Sequence, residues 1–144
     1  MLVQQILASK PQQGVVTIRP EATVAAAAAR LSTERIGTLV VSAEGRQVEG
    51  ILSERDIVRE LGRRGAEVLE MPVSAIMTSR IITCSPSDTA RHIAEQMTAG
   101  RFRHMPVMED GLMVGLVSIG DVVKWRLSEL SMEKEALVEM IQGR

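Results

Sequence analysis

The chain is an internal duplication, and this constrains its fold more than any single motif does. Slid on itself by about half its length, the sequence matches at a constant offset. Thr17 falls on Thr83, Pro20 on Pro86, Thr23 on Thr89, Ala28 on Ala94, Arg35 on Arg101, Val41 on Val107 and Gly45 on Gly111. After one inserted residue the match resumes, pairing Gly50 with Gly115, Ser53 with Ser118, Asp56 with Asp121 and Val58 with Val123. The segments leading into the two copies also agree: LVQQIL precedes the first and PVSAIM the second, each with apolar residues on one helical face.

Each copy reads as a short strand, a helix, two strands joined by a tight turn, and a second helix. In the first copy Val15, Val16 and Ile18 are β-branched and run to Pro20, which cannot continue a ladder. Thr23 then caps a helix through Leu31. Strands over Thr38–Val41 and Val48–Leu52 flank Glu44-Gly45-Arg46, where the glycine supplies positive φ; the second copy uses Glu109-Asp110-Gly111 in the same place. The second helix is expected from Ser53 to about Gly62 in the first copy and from Ser118 to about Leu127 in the second.

A three-stranded sheet covered on one side leaves its other face wet. The expected fold is therefore α+β: two β-α-β-β-α repeats packed sheet to sheet about a pseudo-twofold axis, with a short N-terminal helix and a C-terminal amphipathic helix. In chain order this divides into an N-terminal segment and first repeat (1–70), a linker segment and second repeat (71–127), and a C-terminal helix (128–144). In the last, Leu130, Leu137, Val138 and Ile141 share one stripe, with Glu133, Lys134, Glu135 and Glu139 mostly elsewhere. That stripe needs a partner.

Bulk composition removes several classes of function. A net charge of -1 and a pI near 6.1 provide no broad phosphate-binding surface, and Phe102 and Trp125 are the only aromatics, so no nucleic-acid partner is expected. No apolar run approaches the roughly 18 to 20 residues of a membrane helix. The opening MLVQQILASK lacks the basic start, long apolar middle and cleavage site of a leader, so a mature, cytoplasmic chain is expected. Cys84 is the single cysteine, which excludes an intramolecular disulfide and a cysteine-pair zinc site; it reads as a small buried residue, not a nucleophile. His92 reads as an exposed helix residue. Met105, Met108 and Met113 read as strand and core filling, and Arg63-Arg64 as cations that complement a helix end.

The chemistry concentrates in one repeated string, GILSERD at Gly50 to Asp56 and GLVSIGD at Gly115 to Asp121. Ser-x-x-Asp ahead of an apolar periodic run is the spelling of a capping box. Occurring twice, at matched positions and each after a Gly-led apolar strand, it also spells a ligand site, and the two roles can coexist at one helix start. A glycine in the strand permits close approach, and the first backbone N–H groups of the helix are expected to serve as anion donors. Ile119 and Gly120 replace Glu54 and Arg55 in the second copy, so the two clefts differ chemically.

With the openings VTIRP and ITCSP, and RHMPV at Arg103 to Val107, this string resembles the CBS-domain pair, or Bateman module, of the stand-alone type. The resemblance covers nearly the entire chain. It implies that Asp56 and Asp121 hold ribose hydroxyls, that Ser53 and Ser118 lie near ribose or phosphate, and that Thr17 and Thr83 line an adenine slot. Arg55, Arg103 and His104 are the candidates for phosphate contacts, and Met105, Pro106 and Gly120 complete the candidate set beside them. The implied ligand is an adenine nucleotide, AMP first, with ADP, ATP, NAD(H) or S-adenosylmethionine as further possibilities, and with no catalytic residue, metal or catalytic cofactor. The implied role is regulatory: a homodimer that signals to an as yet unidentified effector protein. Two other readings stay open. One is a ligand-free dimerisation module. The other is a small nucleotide hydrolase using Asp56 or Asp121 as base, although the sequence offers no paired nucleophile and base, no metal-ligand cluster and no Gly-rich Lys loop.

Overall fold

The computed structural model describes residues 1–10 and 14–143. Among these, the order is α1 (Val3–Ser9), β1 (Thr17–Ile18), α2 (Val24–Glu34), β2 (Thr38–Val41), β3 (Gly50–Ser53) and α3 (Glu54–Arg64). Two 3₁₀ turns follow, Ala66–Glu70 and Val73–Ala75, and then α4 (Ala90–Gly100), β4 (His104–Glu109), β5 (Leu112–Ser118) and α5 (Ile119–Ile141).

The duplication is visible bond by bond. In the first repeat β1 runs parallel to β2, with Thr17 opposite Val40 and Ile18 opposite Val41, and β2 pairs antiparallel with β3. In the second, β4 and β5 form the antiparallel pair, and the place of β1 shrinks to one parallel bridge between Cys84 and Val107. The supporting bonds correspond: Ser42 N–H donates to Ile18 O at 2.9 Å, and Met108 N–H donates to Cys84 O at 2.8 Å. Thr23 and Thr89 each accept the third helical N–H at 3.1 Å, as N-caps do. Arg35 and Arg101 end α2 and α4 in the left-handed region, with φ of 55° and 57°, so the matched arginines mark matched helix ends. At the second hairpin Asp110 and Gly111 both take positive φ, 53° and 78°, which suits a two-residue turn on a right-twisted ribbon.

Packing does not follow chain order. Each repeat's core is completed by the lead-in of the other. Val3 of α1 is buried with Ile93, Met97, Met105, Val107 and Val117 of the second repeat, whereas Val68, Val73 and Ile76 are buried with Val24, Leu39 and Leu52 of the first. The docking bonds are again equivalent. Val3 N–H reaches Asp88 O at 2.9 Å and Gln4 N–H reaches Pro86 O at 3.0 Å, as Val73 N–H reaches Ala22 O at 2.8 Å and Ser74 N–H reaches Pro20 O at 3.1 Å.

Gly50 and Gly115 are part of this exchange. A Cβ on Gly115 would stand 2.7 Å from Leu7 Cδ2, and one on Gly50 would overlap Met77 Sδ. The glycines expected to admit a ligand thus admit, first of all, the neighbouring lead-in.

Three features differ from expectation. The helix expected to stop near Gly62 continues to Arg64 and ends at Gly65, whose φ of 78° suits glycine. Its arginines do more than complement the helix end: Glu60 is buried, with Arg64 Nε 3.0 Å from Oε2, Arg63 Nη1 at 3.5 Å and Arg59 Nε at 3.7 Å from Oε1. A buried carboxylate requires such compensation. Third, the C-terminal helix is not separate from the second repeat. No glycine or proline interrupts residues 121–142, so α5 runs unbroken for 23 residues, about 34 Å at 1.5 Å per residue. From 131 to 143 every residue is exposed, including Leu137, Val138 and Ile141.

Exchange of the lead-ins makes α1 structural. Ile6, 1% exposed in α1, should on replacement by alanine lower global stability by about 2–4 kcal/mol in denaturant unfolding, the range for truncating a buried Ile. A change below 0.5 kcal/mol would mean that α1 does not belong to the core.

Candidate functional site

A cleft of about 620 Å³ opens between the repeats. Its walls are Val15, Val16, Ile36, Gly37 and Thr38 from the first repeat, His104, Gly115, Leu116 and Ser118 from the second, and Leu7, Ala8 and Lys10 from the first lead-in. Arg46, on the β2–β3 turn, stands exposed at the rim.

Thr38 and His104 meet across the cleft, Oγ1 to Nδ1 at 3.2 Å, and are separated by 66 residues, the offset of the repeat itself. They are equivalent positions in contact with each other, so the pair lies on the pseudo-twofold axis. Burial is the main influence on His104 and drives its pKa below the ordinary 6.5. Lys10 and Arg103 act in the same direction, and Asp121 opposes them.

Both Ser-x-x-Asp strings form reciprocal capping boxes. Ser53 N–H donates to Asp56 Oδ2 at 2.9 Å and Asp56 N–H to Ser53 Oγ at 3.2 Å; the corresponding distances for Ser118 and Asp121 are 2.9 and 3.1 Å. The first helical N–H is also committed, Glu54 N–H to Gly37 O at 2.9 Å and Ile119 N–H to Arg103 O at 2.8 Å. The expected row of anion donors is therefore mostly consumed by the fold. Among the described residues, only the second helical N–H, at Arg55 or Gly120, is left without a protein partner at either helix start.

The two carboxylates sit in different surroundings. Asp56 is buried and pairs through Oδ1 with Arg59 of its own helix at 2.9 Å. Asp121, half-buried, has Lys10 Nζ 2.9 Å from Oδ2. Burial raises its pKa, but the Ser118 backbone N–H and Lys10 outweigh burial and hold the carboxyl below its ordinary range.

Of the residues expected to form the site, His104 and Ser118 line this cleft, and Asp121 stands behind the lining, bonded to Ser118 and paired with Lys10. Thr17 is half-buried in β1, next to cleft-lining Val16. Ser53 and Asp56 form the equivalent box of the first repeat, away from this cleft. Thr83, Arg55, Arg103 and Gly120 are exposed. The side chain of Met105 is wholly buried in the second core, and Pro106 is buried in β4, where its carbonyl accepts Cys84 N–H at 3.0 Å. Cys84 itself is buried, which pushes its thiol up to about 12, with Asp88 adding to the effect.

Lys10 and Thr38 escaped the sequence reading. Aligning the lead-ins on each other, which sets Met1-Leu2-Val3 on Met71-Pro72-Val73, places Lys10 on Arg80, and that shared basic position was the available signal. Among the described residues no group of three His, Cys, Asp or Glu is placed to hold a metal ion, and no helix is long and apolar enough to cross a membrane.

Crossed lead-ins, matched capping boxes and a cleft beside the pseudo-twofold axis define a duplicated α+β module. Comparison with known proteins gives the family: the CBS-domain model matches twice, over residues 3–63 and 73–128. The chain belongs to the CBS-domain family. It is 37% identical over 125 residues to the mitochondrial CBS domain-containing protein CBSX3 of Arabidopsis thaliana, a match covering 84% of this chain but 61% of that protein. The crystal structure of the CBS-domain containing protein ATU1752 from Agrobacterium tumefaciens superimposes with a TM-score of 0.83 at 40% identity, covering 88% of this chain and 99% of that one. Two further structures carry ligands. The protein PAE2072 from Pyrobaculum aerophilum is complexed with AMP (28% identity, TM-score 0.72, 84% and 89% covered). The CBS pair of protein MJ0100 is complexed with 5'-methylthioadenosine and S-adenosyl-L-methionine (26% identity, TM-score 0.76, 90% and 98% covered).

The surroundings of His104 set a pH dependence. Its NMR titration midpoint should fall below 6.5. Since the unfolded chain then takes up this proton at a higher pH than the fold does, His104 should reduce stability as pH falls through the interval between the two values, and His104→Gln should flatten that part of the curve. A midpoint above 6.5 would contradict the burial described.

Proposed function

We propose that this chain is a regulatory, non-catalytic module that binds an adenine nucleotide, AMP first, in the cleft between its repeats. A partner protein reads the resulting change in shape or rigidity. The observation that carries this reading is a cleft in which His104, Ser118 and Lys10 face the apolar wall of Val15, Val16 and Ile36, with Asp121 held directly behind the lining by Lys10 and Ser118. Its volume lies within the roughly 300–1,000 Å³ of small-molecule sites. The ligands of the AMP-bound and S-adenosylmethionine-bound relatives share the adenosyl group and support it. In this reading Asp121 takes ribose hydroxyls, Val16 and Thr17 border the base, and Ser53 with Asp56 serve the second, chemically distinct cleft. ADP, ATP and NAD(H) belong to the same ligand class. A cytosolic location goes with the reading and is checked by cell fractionation.

Calorimetric titration of nucleotide-stripped protein with AMP, ADP, ATP, NADH and S-adenosylmethionine should give saturable binding of at least one. Asp121→Ala should weaken it by about 1.5–3 kcal/mol, roughly ten- to a hundredfold, with the fold intact. Silence from all five ligands would leave the dimerisation module as the better reading. Turnover of ATP, NAD or AMP that disappears in Asp56→Ala would make the chain an enzyme.

We further propose a homodimer, supported by the α5 stripe of Leu130, Leu137, Val138 and Ile141, whose four apolar side chains are all exposed. Light scattering at micromolar concentration should give twice the chain mass, and Leu137→Glu combined with Ile141→Glu should give the monomer. A monomeric wild type, with and without nucleotide, would overturn this.

A further inference from the structure

The chain's own cations treat the two carboxylates differently. Leu2 bridges Thr89 as Pro72 bridges Thr23, so the exchanged lead-ins run in step, and Lys10 becomes the counterpart of Arg80. Arg80 is exposed, and Asp56 pairs with Arg59 on its own helix instead. Lys10 behaves otherwise. Its ammonium reaches into the cleft, 2.9 Å from Asp121 Oδ2 and 2.9 Å from Leu116 O. Three protons sit on that nitrogen, and it is a compact charge on a flexible stem, able to change partners.

Little else in this cleft can receive an anion. The start of α5 retains only the Gly120 N–H, His104 is held toward its neutral form, and Arg46 stands at the rim. The Lys10–Asp121 pair is partly exposed, and such pairs are weakly held.

We propose that Lys10 is a charge-exchange residue that selects phosphorylated adenosine. In the free cleft it neutralises Asp121. When an adenosine phosphate enters, the ribose hydroxyls take the carboxylate and the ammonium passes to the phosphate, so each charge keeps a partner. Uncharged adenosine displaces Lys10 from Asp121 and returns no anion for it. This inference rests on the nucleotide reading above and adds the ligand class to it.

The test is calorimetric titration of the wild-type chain, Lys10→Gln and Lys10→Arg with AMP and with adenosine, with thermal unfolding as the check on folding. Lys10→Gln should weaken AMP by about tenfold or more, the scale of one charge-assisted contact, and leave adenosine unchanged or tighter; Lys10→Arg should restore AMP. Should Lys10→Gln not fold, the wild type is titrated at rising salt, where AMP affinity should fall while adenosine affinity holds. Equal losses for the two ligands, no loss, or parallel salt curves overturn the role of Lys10 and leave the nucleotide reading standing. A wild type that binds neither ligand overturns the role of Lys10, and one that is also silent toward ADP, ATP, NADH and S-adenosylmethionine overturns the nucleotide reading.

Discussion

Neither hydrophobic core closes without a segment that belongs, in chain order, to the other repeat. Val3 fills the second core and Val73 the first, each entering by the same pair of backbone bonds. A strand-helix-hairpin-helix unit of this size buries too little surface to stand alone, and a three-stranded sheet leaves one face wet. Exchange of the lead-ins supplies the missing cover twice and ties the repeats into one cooperative body. Gly50 and Gly115 follow from the same requirement, since a side chain at either would occupy the space of Met77 or Leu7.

The cleft inherits its chemistry from that arrangement. A lead-in that crosses to the far repeat carries Lys10 with it and sets an ammonium against Asp121. The carboxylate is already held by Ser118, so its position is fixed by the helix start and its charge is balanced by the crossing segment. In the proposed reading, capping and recognition are therefore not competing uses of Ser-x-x-Asp. The cap aims the carboxylate.

Much of this was legible because it is local. Thr23 and Thr89 cap helices with their own side chains, Asp110-Gly111 meets a turn requirement within two residues, and each Ser-x-x-Asp closes its box over three. The Lys10 contact was not legible, because its partners lie more than a hundred positions away and depend on which core accepts α1. The lead-ins offer nearly the same apolar face, so their pattern alone suits either core. Glu60 was hidden for a different reason: a glutamate among Arg59, Arg63 and Arg64 is spelled like a solvated helix face, and its burial shows only in the folded chain. The end of α5 was legible in its apolar stripe, but its continuity was not, because a change of surroundings from packed to bare shifts the apolar pattern while helical propensity runs on unbroken.

The unbroken α5 has a mechanical meaning. Its first turn is the capping box at the cleft wall, Val122 is anchored in the second core, and every residue of the last three turns is exposed. A stiff rod held near one end acts as a lever: a tilt too small to disturb the core at Val122 sweeps the far end through a distance that grows with the length of the rod. A tilt of the helix start at Ser118 and Asp121 would on this geometry reach Leu137 and Ile141 magnified.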